Sequence, residues 1–142
     1  MEPGVDYIGV GVGALIFNER GQILLMKRGP KSRNLIGYWN VPGGVLEFGE
    51  DPLDAVKREV KEEIDVEINI TDELGASSFS LRADQQHWVS FAYACKITKG
   101  SLKIMEPEKI DDLQWFDLDK IPTPHSPSLP MKIKRYLKKN KS

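Results

Sequence analysis

The 142-residue sequence predicts a single α/β domain in which a mixed β-sheet lies between helices. Short apolar runs typical of strands outnumber the two helical patterns, and those two patterns stand far apart in the chain. No internal repeat, long linker or low-complexity segment divides residues 1–142. At 40% hydrophobic and 29% charged residues, the composition supplies enough apolar material for a core and excludes a disordered or fibrous protein.

Charge and cysteine content narrow the functional classes. Twenty basic residues against 21 acidic residues give a net charge of −1, so the chain has no overall positive field that would attract nucleic acid. The apolar stretch over residues 7–17 is shorter than the roughly 20 residues that cross a bilayer, and acidic rather than basic residues precede it. The single cysteine, Cys95, cannot form an internal disulfide. We therefore expect a soluble cytoplasmic protein without a nucleic-acid or membrane partner.

The N-terminal elements are predicted to be strands. Glycine alternates with valine at the start of Ile8–Phe17, which predicts a strand with one bare face that another element can approach closely. A turn signal over residues 18–21 separates it from a second apolar run, Ile23–Met26, and predicts that the two strands form a hairpin. Residues 27–37 are predicted to be a basic loop, and Trp39–Val45 a short strand broken by a Pro-Gly-Gly corner.

Capping signals and apolar periodicity predict two helices. Asp51-Pro52 is a helix start, and the first helix should run to about Ile64. Its core face consists of Leu53, Val56, Val60 and Ile64. The second helix is predicted over Ser128–Lys139, with the basic run Lys132–Lys141 as its solvated face. Apolar runs between the helices predict strands at Val66–Ile70, Ser77–Leu81, Trp88–Ile97 and Leu113–Phe116.

Three carboxylates share one face of the first helix. Glu59, Glu62 and Glu63 are neighbours at helical spacing, and like charges at that spacing repel one another. Arg58 offsets part of this repulsion, but one arginine does not balance three glutamates. A divalent cation would, and such hard oxygen ligands suit Mg²⁺ or Mn²⁺. The alternative is an ordinary solvated helix face of mixed charge, which the helix taken by itself leaves open.

The spacing of these residues resembles the Nudix box. Residues of the matching types stand at the intervals of that motif over 44–66: Gly44, Glu50, Arg58, Glu59, Val60, Glu62, Glu63 and Val66. Asp65 stands where the family has glycine, at a position that commonly ends the helix in a left-handed conformation. The resemblance implies a Nudix-type α/β/α sandwich with a mixed β-sheet between helices.

The resemblance also implies a chemistry, the hydrolysis of a nucleoside diphosphate linked to another group. Mg²⁺ or Mn²⁺ would be held by Glu59, Glu62, Glu63 and the backbone carbonyl of Gly43. Glu59 is the preferred general base, and a glutamate in a later loop is the alternative. The candidates for that alternative are Glu106 and Glu108. Gly44, Glu50 and Arg58 would support the site structurally, as the corresponding residues do in the family.

Substrate contacts are predicted from residue type. Arg28 and Arg33 could reach phosphates. Four aromatic side chains, Trp39, Phe48, Phe79 and Trp88, could stack on a base, and a position in the core or at the cleft rim is the alternative for each.

The residues of the box favour one substrate class. Gly43–Glu50 looks most like MutT-type members, which implies conversion of a (deoxy)nucleoside triphosphate to the monophosphate and pyrophosphate. Hydrolysis of ADP-ribose, a nucleotide sugar or coenzyme A is the alternative within the family. A non-catalytic nucleotide-binding domain, or an interaction protein with a charged helix, is the alternative outside it. Members of the family are often dimers, so a homodimer and a monomer are both left open.

Overall fold

The computed structural model describes residues 1–140, which form seven strands and two α-helices. The strands are β1 (Gly9–Ile16), β2 (Ile23–Arg28), β3 (Trp39–Asn40), β4 (Gly43–Val45), β5 (Glu67–Leu81), β6 (Gln86–Lys99) and β7 (Ile110–Phe116). The helices are α1 (Pro52–Ile64) and α2 (Leu129–Lys139), and one short 3₁₀ turn spans Arg82–Asp84. The last two residues of the predicted domain, and with them the end of the basic run at Lys141, lie outside the described residues.

The strands form two sheets rather than one. Strands β4, β1, β6 and β5 lie in that order in a mixed sheet, where β1 is parallel to β6 and antiparallel to β4. Strands β3, β2 and β7 form an antiparallel sheet of three. The predicted α/β class is confirmed.

Two predictions of strand arrangement are wrong. The hairpin of β1 with β2 does not form, because the chain leaves one sheet and enters the other at the turn; a single bridge between Phe17 and Ile23 joins the two strands there. The two short strands predicted over residues 66–81 are one long strand, β5. Register shifts near Ile70 and after Glu73 let it bend along β6 without breaking.

Two hydrophobic cores lie on opposite faces of β1, because successive side chains of a strand point to opposite sides. Val12, Ala14 and Ile16 pack with α1, whereas Leu15 and Phe17 pack with α2. The helices therefore cover the two faces of the sheet layer, as the sandwich prediction requires. Of the predicted α1 core face, one position differs: Leu53 in the first turn is 38% exposed, and Ala55 is buried. Neither helix within residues 1–140 is long and apolar enough to cross a membrane.

Candidate active site

Helix α1 is fixed at both ends by aspartates. The Asp51 carboxylate accepts a hydrogen bond from the backbone N–H of Leu53 at 2.9 Å, and Pro52 opens the first turn. At the other end, Asp65 has the left-handed conformation (φ 60°, ψ 36°), and its N–H donates to the Lys61 carbonyl at 3.1 Å. The helix therefore ends where the box predicts, with an aspartate performing the role of the family's glycine.

Arg58 ties the loop before α1 to the acidic face of the helix. Its Nε and Nη2 donate to the two carboxylate oxygens of Glu50 at 2.7 and 2.9 Å. Its Nη1 donates to Glu59 and Glu62 at 2.9 and 3.0 Å, and Nη2 also reaches the carbonyl of Val45 at 3.1 Å. These bonds raise the pKa of Arg58 and lower the pKa of Glu50. The predicted supporting pair is thus the centre of a larger network that orients two of the three candidate ligands.

The Pro-Gly-Gly corner lies against the carboxylates of α1. The N–H of Gly43 donates to Glu63 Oε1 at 2.8 Å. A Cβ on Gly43 would overlap the backbone of Val12 on β1, and a Cβ on Gly44 would overlap the carboxyl group of Glu59. Gly43 therefore allows β4 to approach β1 this closely, and Gly44 allows β4 to approach α1.

The Glu63 carboxylate is buried, and no positive side chain within residues 1–140 forms an ion pair with it. Its residue is 8% exposed, and burial raises its pKa well above the ordinary value, with the charges of Glu59 and Glu106 adding to the effect. Burial raises the pKa of Glu59 as well. Glu59 and Glu63, whose charged forms are disfavoured by burial, form with the nearby Glu106 an acidic site which a cation would stabilise.

The donor set fits a hard divalent cation. Glu59 and Glu63 each use Oε1 for a hydrogen bond, and Oε2 of each has no hydrogen bond to any residue in the range 1–140. Glu62 lies at the rim, with its side chain 51% exposed. In the part of the chain that the structure describes, no three acidic, histidine or cysteine side chains are gathered tightly enough to form a metal cage by themselves. A cation here would rely on carboxylates together with backbone and substrate oxygens, as Mg²⁺ commonly does.

The acidic site opens into a cleft of about 690 Å³ that is also lined by Arg28 and Arg33. Arg28 is half-buried, and its Nε donates to the Asn34 carbonyl at 2.7 Å. Burial lowers the pKa of Arg28, while the nearby charge of Glu63 raises it. The Arg33 guanidinium lies 5.3 Å from the centre of the Trp88 ring. The cleft therefore combines carboxylates with guanidinium groups, a mixture suited to a polyanion bound together with a cation.

The comparison with known proteins assigns the family. The NUDIX domain family model matches residues 8–136, which is most of the chain. The chain belongs to the Nudix family. The resemblance that was inferred from the box at residues 44–66 is thereby confirmed.

Individual relatives support the family and differ in substrate. The crystal structure of a MutT NUDIX hydrolase from Burkholderia pseudomallei is 31% identical with a TM-score of 0.83, over 92% of this chain and 98% of that one. RNA pyrophosphohydrolase from Gluconacetobacter diazotrophicus is 29% identical over 133 residues, 78% of each chain. ADP-ribose pyrophosphatase from Methanocaldococcus jannaschii is 33% identical over 107 residues, 75% of this chain and 61% of that protein. Other curated relatives are longer, and the chain spans only 30% and 31% of two of them.

Several predicted substrate residues of this Nudix domain lie elsewhere. Trp39 is 9% exposed in the core, edge-on to Phe116 with ring centres 5.0 Å apart, and Phe48 is fully exposed outside the cleft. Trp88 does line the cleft, but it is 5% exposed, because Gly4 and Gly9 lie against its ring and Arg33 lies over it. Trp39 and Phe48 are therefore removed from the candidate contacts, and Trp88 is a wall rather than a free stacking surface.

The structure places the two alternative bases, Glu106 and Glu108, differently with respect to the cleft. Glu106 is half-buried in the cleft wall, close enough to raise the pKa of Glu59 and of Glu63. Glu108 is exposed and does not line the cleft, because residues 106–110 form a turn in which Lys109 and Ile110 donate to the Glu106 carbonyl. Glu106 therefore stays the alternative base, whereas Glu108 is withdrawn as a candidate because it lies outside the cleft.

The sequence prediction does not include Lys132 of α2 among the residues of the cleft. Lys132 of α2 was assigned to a solvated face, yet it is 4% exposed and lines the cleft. A signal was available in the sequence: Lys132 stands three residues after Leu129 and directly before Ile133, both of which are buried, so it lies on the inner side of α2.

Proposed function

We propose that this Nudix domain is a Mg²⁺-dependent hydrolase that converts a nucleoside triphosphate and one water into a nucleoside monophosphate and pyrophosphate. The observation that carries the proposal is the buried carboxylate of Glu63, grouped with Glu59 and Glu106 in a cleft that also presents Arg28 and Arg33. These carboxylates alone would repel a polyphosphate, so an anionic substrate requires a cation between them.

The proposed cation ligands are Glu59, Glu62, Glu63 and the backbone carbonyl of Gly43, with Mn²⁺ as the substitute for Mg²⁺. When bound, the cation would neutralise phosphate oxygens and lower the pKa of bound water.

The chain's own residues divide the remaining work. Glu59 would accept the proton of the attacking water, and the hydrogen bond from Arg58 to its Oε1 orients the carboxylate. Glu106 is the alternative base. Arg58 and Glu50 hold the catalytic face in position, and Gly44 leaves room for the Glu59 carboxyl group. Arg28 and Arg33 would bind phosphate oxygens.

The triphosphate is preferred because Gly43–Glu50 resembles MutT-type members and the Burkholderia neighbour is a MutT protein. Two relatives named for RNA and for ADP-ribose keep other diphosphate substrates in the test. A cytoplasmic location stays a prediction, and a homodimer and a monomer both stay open.

A substrate panel tests the proposal. Purified protein is incubated with Mg²⁺ and nucleoside triphosphates, ADP-ribose, a nucleotide sugar, coenzyme A or a 5′-triphosphorylated RNA, and the products are identified by mass. We expect monophosphate and pyrophosphate from a triphosphate, and ¹⁸O-labelled water shows which phosphorus is attacked. Turnover of a sugar-linked diphosphate alone, or of the RNA alone, would contradict the triphosphate assignment while leaving the hydrolase intact.

A matched pair of variants tests the site. Glu63→Gln keeps an oxygen that can accept the Gly43 N–H but removes the charge, so we expect at least ~100-fold loss of activity. Glu67→Gln, an exposed glutamate just beyond α1, should retain full activity. A wild-type protein that binds nucleotides but hydrolyses none, with or without Mn²⁺, would instead identify the non-catalytic alternative.

A further inference from the structure

Lys132 is a positively charged side chain that lines the cleft and is nevertheless almost completely buried. It projects from α2, is 4% exposed and lines the same cleft as the acidic site. Its ammonium forms no ion pair and no hydrogen bond with any side chain or carbonyl in residues 1–140. A charge in such a place is costly to bury, and burial alone lowers the pKa of Lys132 to about 8. The fold thus holds a hydrogen-bond donor in the cleft, and residues 1–140 supply no acceptor for it.

The surface beneath Lys132 is largely backbone, with the Val41 side chain at its edge, where a Cβ on Gly13 would lie 3.1 Å from Val41 Cγ2. Gly11 and Gly13 of β1 face the α2 side of the sheet, and a Cβ on Gly13 would lie 3.7 Å from the Lys132 ammonium. On the neighbouring strand, Ser90 pairs with Gly11, and farther along the sheet Phe79 pairs with Trp88. Because position 11 carries no side chain, the sheet surface between Lys132 and Trp88 is flat, which suits a planar ring.

We propose that the Lys132 ammonium reads the base of the nucleotide by donating a hydrogen bond to a keto oxygen, so that bases with a keto group at that position are selected over bases with an amino group. The inference rests on the proposed nucleotide hydrolysis and assigns its base specificity. Guanine, hypoxanthine and uracil present an acceptor oxygen where adenine and cytosine present an amino donor.

The selectivity follows from the environment of the lysine. With a keto base, the ammonium gains the acceptor that it lacks in the free protein. With an amino base, two donors face each other, and the base blocks the cleft side of a lysine that is only 4% exposed, so neither donor is satisfied. Hydrogen bonds to charged groups are strong enough to give about 10- to 100-fold discrimination.

Two nucleotide pairs isolate this contact, because ITP differs from ATP, and UTP from CTP, mainly by keto against amino at the tested position. We expect wild-type kcat/KM to favour ITP over ATP, and UTP over CTP, by about 10- to 100-fold. Lys132→Met keeps the length and removes the donor, so both ratios should fall to about one. Lys134→Met makes the same change at an exposed position of α2 and should preserve the wild-type ratios.

The outcomes separate this inference from the proposed function. Wild-type ratios near one, or ratios that Lys132→Met leaves unchanged, would overturn the role of Lys132 while hydrolysis stands. If no nucleotide is hydrolysed, the proposed function fails, and calorimetric titration with IMP and AMP still decides the base contact. Tighter binding of IMP that is lost in Lys132→Met supports the contact, and equal binding overturns it.

Discussion

Helices α1 and α2 each place a positively charged side chain at the cleft, but the two side chains differ in their hydrogen-bond partners. On α1, the charge of Arg58 is surrounded by acceptors, and four of its hydrogen bonds go to the carboxylates of Glu50, Glu59 and Glu62. On α2, Lys132 is more deeply buried and has no such acceptor anywhere in the described chain. The two helices cover opposite faces of the same strand.

This difference indicates a structural role for Arg58 and a ligand-binding role for Lys132. A buried charge whose partners are supplied by the fold contributes rigidity, and removing it leaves those partners unsatisfied. A buried charge without partners lowers stability in the free protein, and such a cost is expected where a ligand completes the site. Arg58 should therefore be needed for stability, whereas Lys132 should oppose it.

The largest expected effect is a gain in stability from Lys132→Met. Burial lowers the pKa of Lys132 from 10.5 to about 8, which corresponds to about 3 kcal/mol of lost stability at pH 7, where the lysine is charged in both the folded and the unfolded chain. Replacing it with methionine should raise the free energy of unfolding by about that amount. Urea denaturation at pH 7 measures the change.

The stability difference between wild type and Lys132→Met should depend on pH. Between pH 8 and 10.5 the unfolded chain binds more protons at this lysine than the folded chain, so wild-type stability recovers as the pH rises. The advantage of Lys132→Met should therefore shrink to about 1 kcal/mol at pH 10. A methionine variant that is less stable than wild type at pH 7 would show that Lys132 has a stabilising partner after all, and the contrast between the helices would be lost.

The next effect, in the opposite direction, is a loss of stability from Arg58→Lys. Lysine keeps the positive charge but cannot bond the two oxygens of Glu50 while also reaching Glu59, Glu62 and the Val45 carbonyl. We expect the free energy of unfolding to fall by about 2 kcal/mol, because partly buried carboxylates lose their donors. Lys57→Arg, the reverse exchange at the exposed neighbouring position, should change stability by less than about 0.5 kcal/mol. Equal stability of the two variants would mean that the network is an ordinary surface ion pair.

The same contrast explains how far the sequence could predict the molecule. The start of α1 at Asp51-Pro52, its end at Asp65 and the acidic face between them are local features, and each was predicted. The burial of Lys132 depends on Gly13 of β1, more than a hundred residues away, and a basic run at the end of the chain resembles a solvated face. The run of charges therefore did not predict the burial, although the spacing from Leu129 places Lys132 near the inner side of α2.

The predictions of strand pairing and of aromatic substrate contacts failed for the same physical reason. Strand β1 pairs with β6 across the whole length of α1 and β5, and nothing near the turn at residues 18–21 distinguishes that partner from β2. Trp39 and Phe48 are both aromatic residues near the corner, yet one is in the core and the other is fully exposed. Residue type predicts which side chains could contact a ligand, and only the tertiary arrangement determines which of them do.

The smallest expected effect concerns the end of α1, where the scaffold departs from the family's glycine. Asp65 adopts φ 60° and forms an ion pair with Lys61 at 3.3 Å between side chains that are about half exposed. Glycine adopts this conformation without strain and the ion pair is weak, so Asp65→Gly should raise the free energy of unfolding by about 0.5–1 kcal/mol with unchanged activity. Asp65→Asn tolerates the same backbone but lacks the charge, so its stability should match wild type and isolate the contribution of the ion pair. Thermal denaturation of the three proteins measures the differences, and a glycine variant less stable than the asparagine variant would show that the side chain at position 65, rather than the backbone conformation, holds the end of the helix.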